Sequence, residues 1–440
     1  MENREWERVR NPEEMDLFLE KKIGETRVHE FTLTVADRNG NPLPGVRLLA
    51  EHKNHDFTFG VCPNGHISMT NRLACGEGKE AEKYWERIGA LFNATTLWWG
   101  WRVLEPVRGN RTFLQEVGGY GPMERMVERA EKLGHRLTAH AILYPRDDVS
   151  PAWLARCNPQ EALEALEEHI AETAGIYGGR IGCWHPVNEA YETPCRAGGL
   201  CVEEGRVYRL LGELLPDAVL VDNGGYTIDP DFYEKGIRSA QKFGSRVDAL
   251  GVRGYFELYN SRAIPFYQSI WEHFDDLKER YRRPVRFTEI GAASAPRKGA
   301  YSPWDVDKTT ARQLGIADFE AYRDQQPITQ ETQAEFLVRM YRLAFAHPAA
   351  EECTYWDLCD SYTWNRVEGG LIDENLEPKP AYFALQKLIH ETWHTAALLE
   401  SDAGGRCVFS GFDGDYEISV GEEKRRIHFS KEDARQKLCL

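Results

Sequence analysis

Eight short, mostly apolar stretches punctuate the chain: FTFGVC (57–62), FNATTLWW (92–99), RLTAHAILY (136–144), RIGCWHPVN (180–188), AVLVDN (218–223), DALGVRGY (248–255), VRFTEIG (285–291) and CTYWDL (353–358). Their length and their β-branched and aromatic content fit strands buried on both faces, as parallel strands are. Between them lie segments with apolar residues every three or four positions: GPMERMVERAEKLG, NPQEALEALEEHIAETAGIYG, FYQSIWEHFDDLKERY and TQAEFLVRMYRLAFAH. That spacing lines one face of a helix with apolar side chains. Strand–helix alternation repeated eight times predicts an α/β fold whose parallel sheet closes into a (β/α)8 barrel. Open doubly wound sheets more often carry a glycine-rich phosphate loop after the first strand, and GVCPNGH is not one.

The two ends of the chain follow another pattern. PEEMDLFLEKKIG opens with proline and closes with Gly24, which predicts a short helix. VHEFTLTVADRNGNPLPGVRLLAEHK alternates on both sides of a turn rich in Asn, Gly and Pro, a hairpin-like signal. GRCVFSGFDGDYEISVGEEKRRIHFS alternates in the same way near the C-terminus. An isolated hairpin is marginal in water, so the two ends are expected to pair into one small accessory β-sandwich. The expected organisation is a helical lead at 1–25, a sandwich from 26–54 plus 396–440, and a barrel at 55–395.

Composition then narrows the partners. The 54 basic residues stand against 70 acidic ones, a net charge of −16. With no long Lys/Arg run, nucleic acid is not an expected partner. Nothing reaches the roughly 18 apolar residues of a membrane span. The first residues, MENREWERVR, hold no apolar signal core, so a cytoplasmic location is expected, or secretion if a signal peptide was removed. The ten cysteines include no C-x-x-C pair and several sit in apolar runs, which fits reduced, buried thiols. Cys62 with His55 and His66 does not match zinc-site spacing, and no metal or cofactor is expected.

Active sites of (β/α)8 barrels lie at the C-terminal ends of the strands. There the sequence offers His140 and Tyr144 on strand three, Asn188 and Glu189 after strand four, and Asp222 and Asn223 on strand five. Strand six brings Arg253 and Tyr255, strand seven Thr288 and Glu289, and strand eight with its loop Trp356, Asp357, Asp360 and Trp364. Two glutamates facing one mouth among aromatic rings suit an oligosaccharide or polysaccharide. Carboxylates about 5–5.5 Å apart retain anomeric configuration through a covalent intermediate, and about 6.5–9.5 Å inverts it.

These residues carry a resemblance. WHPVNEA resembles the W-x-x-V-N-E-A acid/base motif of glycoside hydrolase family 10, the xylanase family, and RFTEIG resembles its strand-seven nucleophile motif. FNATTLWWGWRVLEPVRG, HRLTAHAILYP and TYWDLCDSYTWN with GGLIDENLEPKPAYFAL resemble further segments of that family, in the family's order, across about residues 55–395. The segment NGNPLPGVRLLAEHKNHDFTFG is similar to the β-module that precedes some of its barrels. The resemblance implies a retaining hydrolase of β-glycosidic bonds in xylan-type or related hemicellulose oligosaccharides. Glu189 would be the acid/base and Glu289 the nucleophile. Asn188 would hold the sugar 2-hydroxyl, His140 would line the cleaved sugar, and Trp356 and Trp364 would form floor and wall. Tyr144, Asn223, Arg253, Tyr255 and Trp99 complete the candidate sugar contacts.

The departures lie in the sugar-reading shell. Strand two of the family offers a Glu, an Asn and a Lys, whereas TTLWWGWR holds Trp98, Trp99 and Trp101 and no carboxylate. Alternation sends Trp99 and Trp101 to one side and Trp98 to the other. Arg253 and Tyr255 replace the Gln and His of strand six. Arg253 is expected to pair with Glu289 or Asp248 and hold the nucleophile ionised; the rival reading is a contact to an acidic sugar. Two alternatives stay open: an exo-acting or non-xylan β-glycosidase, and a carbohydrate-binding homologue without turnover. The segment from Ala292 to Ile328, with Tyr301, Trp304 and Tyr322, is long enough for a lid or an added sugar wall.

Overall fold

The computed structural model describes residues 5–63, 70–119, 121–190, 194–225, 230–256, 261–296, 327–363 and 367–440. Eight parallel strands close into a barrel: Thr58–Cys62, Ala94–Trp98, Arg136–Leu143, Cys183–Val187, Val219–Gly225, Ala249–Phe256, Val285–Ala292 and Ala350–Trp356. Each pairs with the next in the chain, and the eighth returns to the first. They are barrel strands one to eight below. All eight overlap the apolar stretches of the sequence. Strands four and six are buried along their whole length, because helices cover the outside while side chains fill the inside. The helices Glu124–Lys132, Pro159–Tyr177, Ile264–Tyr281 and Gln330–Ala346 occupy the predicted positions.

The sandwich is built from both chain ends, but its first two strands do not form a hairpin. Val28–Ala36 lies between Arg406–Phe412 and Arg435–Cys439 in one sheet, and Arg47–His55 lies between Ala396–Glu400 and Gly414–Val420 in the other. The turn between them is folded on Asp37, which accepts from the backbone N–H groups of Asn39 and Asn41, and it crosses from sheet to sheet. A hairpin would have put both apolar faces on one side of one sheet. In separate sheets Phe31 and Leu33 face Leu48 and Ala50, and Phe409, Tyr416 and Phe429 fill the space between.

The helix Pro12–Arg27 starts where predicted, with Asn11 accepting from Glu14 N at 2.9 Å, but it runs through Gly24. Its last turn is held from outside. Arg27 donates to the carbonyls of Phe345, His347 and Ala350 at 2.6, 2.8 and 2.6 Å, and Arg339 grips Asp16. Three bonds to a buried guanidinium outweigh the roughly 1 kcal/mol that one glycine costs a helix.

The sandwich sits below the barrel, at the N-terminal ends of its strands. Asn93 and Arg136, which lead into strands two and three, donate to the carbonyls of His55 and Phe57 where the sandwich hands the chain to strand one. All ten cysteines are free thiols and eight are buried; Cys439 is exposed. Among the described residues no helix is long and apolar enough to cross a membrane.

One charged cluster is sealed behind the barrel wall. Glu204 and Asp222 are both buried, and Gly236 leaves the space they occupy. A methyl group there would stand 2.2 Å from Asp222 Oδ2 and 3.3 Å from Glu204 Oε1. Burial, then the neighbouring Asp222, pushes the Glu204 carboxyl up to about 8, against the pull of Lys235. The folded state therefore binds a proton that the unfolded chain releases above its ordinary carboxylate range, so this site loses stability as pH rises toward 8. Glu204→Gln mimics the protonated form. Calorimetry should show its melting temperature gaining on the parent between pH 5.5 and 8.5; a difference constant over that range would contradict the shared site.

Candidate active site

Strand four delivers the first glutamate. Trp184 points outward into the helix layer, its indole N–H on Ile181 O at 2.8 Å, while His185 points inward. Past Val187 the chain leaves the sheet. Glu189 takes φ +53°, a left-handed conformation that non-glycine residues rarely adopt and that surrounding structure must hold. The grip on this corner is visible. Lys235 donates to Ala190 O at 2.9 Å, and Asn188 N to Leu143 O at 2.9 Å.

Strand seven delivers the second. Its register against strand six slips at Val252/Arg253, so that Thr288 has no partner and Arg253 faces Glu289. Such a bulge re-aims the side chains that follow it. Glu289 is buried. Tyr255 donates its hydroxyl to Oε2, Asn223 Nδ2 donates to Oε1 at 3.0 Å, and His140 Nε2 stands 3.6 Å from the same oxygen. Burial pushes the Glu289 carboxyl above the usual range. The positive charge of Arg253 and the bonds from Tyr255 and Asn223 work against that rise, and the charge of Glu189 adds to it.

Arg253 does not bind Glu289 or Asp248 directly, as the sequence reading expected. Its Nη1 donates to Glu189 Oε1, while Asp248 is taken by Arg246 and by the backbone of Leu220. The guanidinium thus lies on the strand-four carboxylate and acts on Glu289 through its field. The second oxygen of Glu189 faces Arg146 Nη1 at 3.8 Å, and Arg146 is anchored by Asp148 and by Tyr144 Oη at 3.1 Å. Burial and the adjacent Glu189 push the Tyr144 phenol up, so it keeps its proton.

Asn223 was expected at the sugar, and the structure gives it other work. Nδ2 donates to Asn188 Oδ1 at 2.9 Å and to Glu289, and Oδ1 accepts from Thr288 Oγ1 at 2.5 Å. Its polar atoms are therefore committed to the protein, tying strands four, five and seven together. His140 and Trp356 stand against each other at the mouth, with ring centroids 4.9 Å apart. Burial drives the His140 imidazole far below its ordinary value and His185 to about 3, so both rings are neutral; their Nδ1 atoms share one hydrogen at 2.8 Å.

Trp99 is not in the site. It is fully buried behind strand two, edge-on to Tyr177 of the outer helix at 4.9 Å. Trp101 likewise stacks on His169, with its N–H on Glu105. Trp98 takes the mouth position instead, 5.4 Å from the His140 ring and in register with it. Alternation along the strand foretold that these rings diverge, but not which one faces inward. Asp360 is held by Lys379 at 2.9 Å and by Gly370 N, away from any catalytic role. Trp364, and Tyr301, Trp304 and Tyr322 of the long segment, lie outside the described residues, as does His66. The sequence reading missed Arg146 and Lys235, which sit in loop and helix and carry no pattern. His185 was inside the quoted motif, and counting back by twos from Glu189 through Val187 lands on it, a signal that could have found it.

The comparisons with known proteins follow the same line. The model described as "Glycosyl hydrolase family 10" matches residues 80–214 and 216–388. "Endo-1,4-beta-xylanase B" of Thermotoga neapolitana is 24% identical over 373 residues, covering 79% of this chain and 92% of its own. "Anti-sigma-I factor RsgI6" of Acetivibrio thermocellus is 21% identical over 406 residues, 91% of this chain; the chain spans 46% of that relative's length. Among solved structures, xylanase 10B from Thermotoga petrophila RKU-1 in complex with xylobiose superposes with a TM-score of 0.56 at 22% identity, covering 76% of this chain and 95% of its own.

The bond from Tyr255 gives a direct test of the electrostatics. Tyr255→Phe removes a donor that favours the charged form of Glu289, so its carboxyl should titrate at higher pH than in the parent. Carbon-13 NMR of labelled glutamate side chains reads this directly. A midpoint that stays put or moves down would mean the Tyr255 hydroxyl does not act on Glu289.

Proposed function

The chain belongs to glycosyl hydrolase family 10, and from that premise we propose that it cleaves β-glycosidic bonds of xylan-type or related hemicellulose oligosaccharides with retention of configuration. The observation that carries the reading is the unequal setting of two buried glutamates in one barrel mouth. Glu289 is fixed by Tyr255 and Asn223 beneath a neutral His140, which suits a nucleophile that must not move. Glu189 sits on a corner of the chain with one oxygen on Arg253 and the other turned toward Arg146 and Tyr144.

In this mechanism a Glu289 oxygen attacks C1 of the sugar while Glu189 hands a proton to the departing oxygen. The glycosyl-enzyme is then opened by a water that Glu189 deprotonates. Asn188 accepts from Asn223, which also clamps Glu289, and this supports Asn188 as the contact to the sugar 2-hydroxyl. Trp356 offers an apolar face for the C–H surface of the ring. The xylan assignment leans on the names of relatives such as the Thermotoga neapolitana xylanase.

A second reading has its own support. The relative aligned over 91% of this chain is named an anti-sigma factor, and Arg253 engages the proposed acid. Both fit a carbohydrate-binding homologue without turnover.

Substitution of the two glutamates separates these readings. On an aryl β-glycoside, Glu289→Gln should lower kcat/KM by about 10³-fold or more, because no nucleophile remains. Glu189→Gln should lose about 10²–10⁴-fold on substrates with a basic leaving group and far less on dinitrophenyl glycosides, which leave without a proton. Near-normal turnover in either variant on a basic leaving group would overturn the assignment. Binding without hydrolysis across a panel of glycosides in the parent would favour the second reading.

A further inference from the structure

We propose that Trp98 closes the mouth on the nucleophile's side, so that this enzyme accepts one sugar unit there and releases single sugars from the non-reducing end of a chain. The inference rests on the glycosidase reading above and adds the mode of action.

The sugar whose C1 joins Glu289 must lie against the groups around that carboxylate. His140 is one of them, its Nε2 3.6 Å from Glu289 Oε1. Around it stand three more rings from strands eight, two and three. Trp356 is 4.9 Å from His140, Trp98 is 5.4 Å from His140 and 6.2 Å from Trp356, and Tyr144 is 6.3 Å from Trp98, centroid to centroid. Centroids about 4.5–7 Å apart are aromatic rings in direct contact. No gap thick enough for a second pyranose separates them. Exposure agrees: His140 is 0% exposed, Trp98 4%, Trp356 4% and Tyr144 8%.

Trp98 is the ring that makes this wall continuous, because it bridges Trp356 on one side to Tyr144 on the other. It is also held in place. Its Nε1 would lie 3.1 Å from a side chain added at Gly100, so the indole rests on the backbone of the turn that opens the buried helix Trp101–Leu104. Chemistry points the same way. A further sugar unit would bring several hydroxyls that need hydrogen-bond partners when desolvated. The wall meets them with ring faces and edges, and strand two supplies neither carboxylate nor amide at that position.

Covalent trapping tests the closure without a need for turnover. The reagents are dinitrophenyl 2-deoxy-2-fluoro-β-glycosides carrying either one sugar or a β-1,4-linked disaccharide, in the xylo and gluco series. In each, a Glu289 oxygen forms a bond to C1 as the bond from C1 to the phenolate breaks, and the phenolate departs with the electron pair. Intact-mass spectrometry reads the label and peptide mapping its site. The parent should be labelled by the one-sugar reagent at least ~10-fold faster than by the two-sugar reagent, and Trp98→Ala should raise the two-sugar to one-sugar ratio by ~10-fold or more. Trp99→Phe, on the indole behind the same strand, should leave the ratio unchanged. Equal or faster labelling of the parent by the two-sugar reagent would overturn the closure while upholding the glycosidase reading. Trp98→Ala slowing both reagents alike would assign Trp98 to packing and also overturn it. No label from any reagent would instead defeat the retaining reading, and this inference with it.

Discussion

A single buried guanidinium makes the centre of this molecule workable. Two carboxylates, Glu189 and Glu289, are sealed in one barrel mouth, where each unpaired charge would cost several kcal/mol. Arg253 lies between them. It donates to Glu189 and, by its field, opposes the upward push that burial exerts on Glu289. The rest of the site is arranged around that compromise. Tyr255 and Asn223 supply hydrogen bonds to Glu289, the bulge at Thr288 turns Glu289 toward strand six, and Asn223 joins the two glutamate-bearing strands. The neighbouring histidines are held neutral, so they add no competing charge.

Much of this was legible in the sequence, for reasons that differ by element. The eight barrel strands announce themselves because strands buried on both faces are apolar throughout and short. The two glutamates stand out because each is a carboxylate set in or just after such an apolar run, where burial alone would favour an apolar side chain. Less legible was everything decided by distance in space. A strand's alternation says that Trp98 and Trp99 point opposite ways, and only the sheet says which way is in. The charge of Arg253 predicts a carboxylate partner, but only the folded mouth shows that the bond goes to Glu189, although the slipped register sets Arg253 opposite Glu289. The helix at the N-terminus passes Gly24 because Arg27 finds three carbonyls on a segment more than 300 residues away. The expected hairpin became two strands in two sheets because their apolar faces bury better against each other than side by side.

The appended sandwich is bound beneath the barrel, at the end away from the two glutamates. At the mouth Glu289 is held by Asn223 and stands near a neutral His140, and strand two brings the Trp98 indole against His140 and Trp356.

Everything proposed for the mouth requires that Glu289 form a covalent bond to the sugar. Following the products of a β-glycoside by proton NMR within the first minutes, before the anomers equilibrate, decides it. Double displacement predicts that the β-anomer appears first and the α-anomer grows in only by mutarotation. First appearance of the α-anomer would show a single displacement by water and would remove the nucleophile role from Glu289.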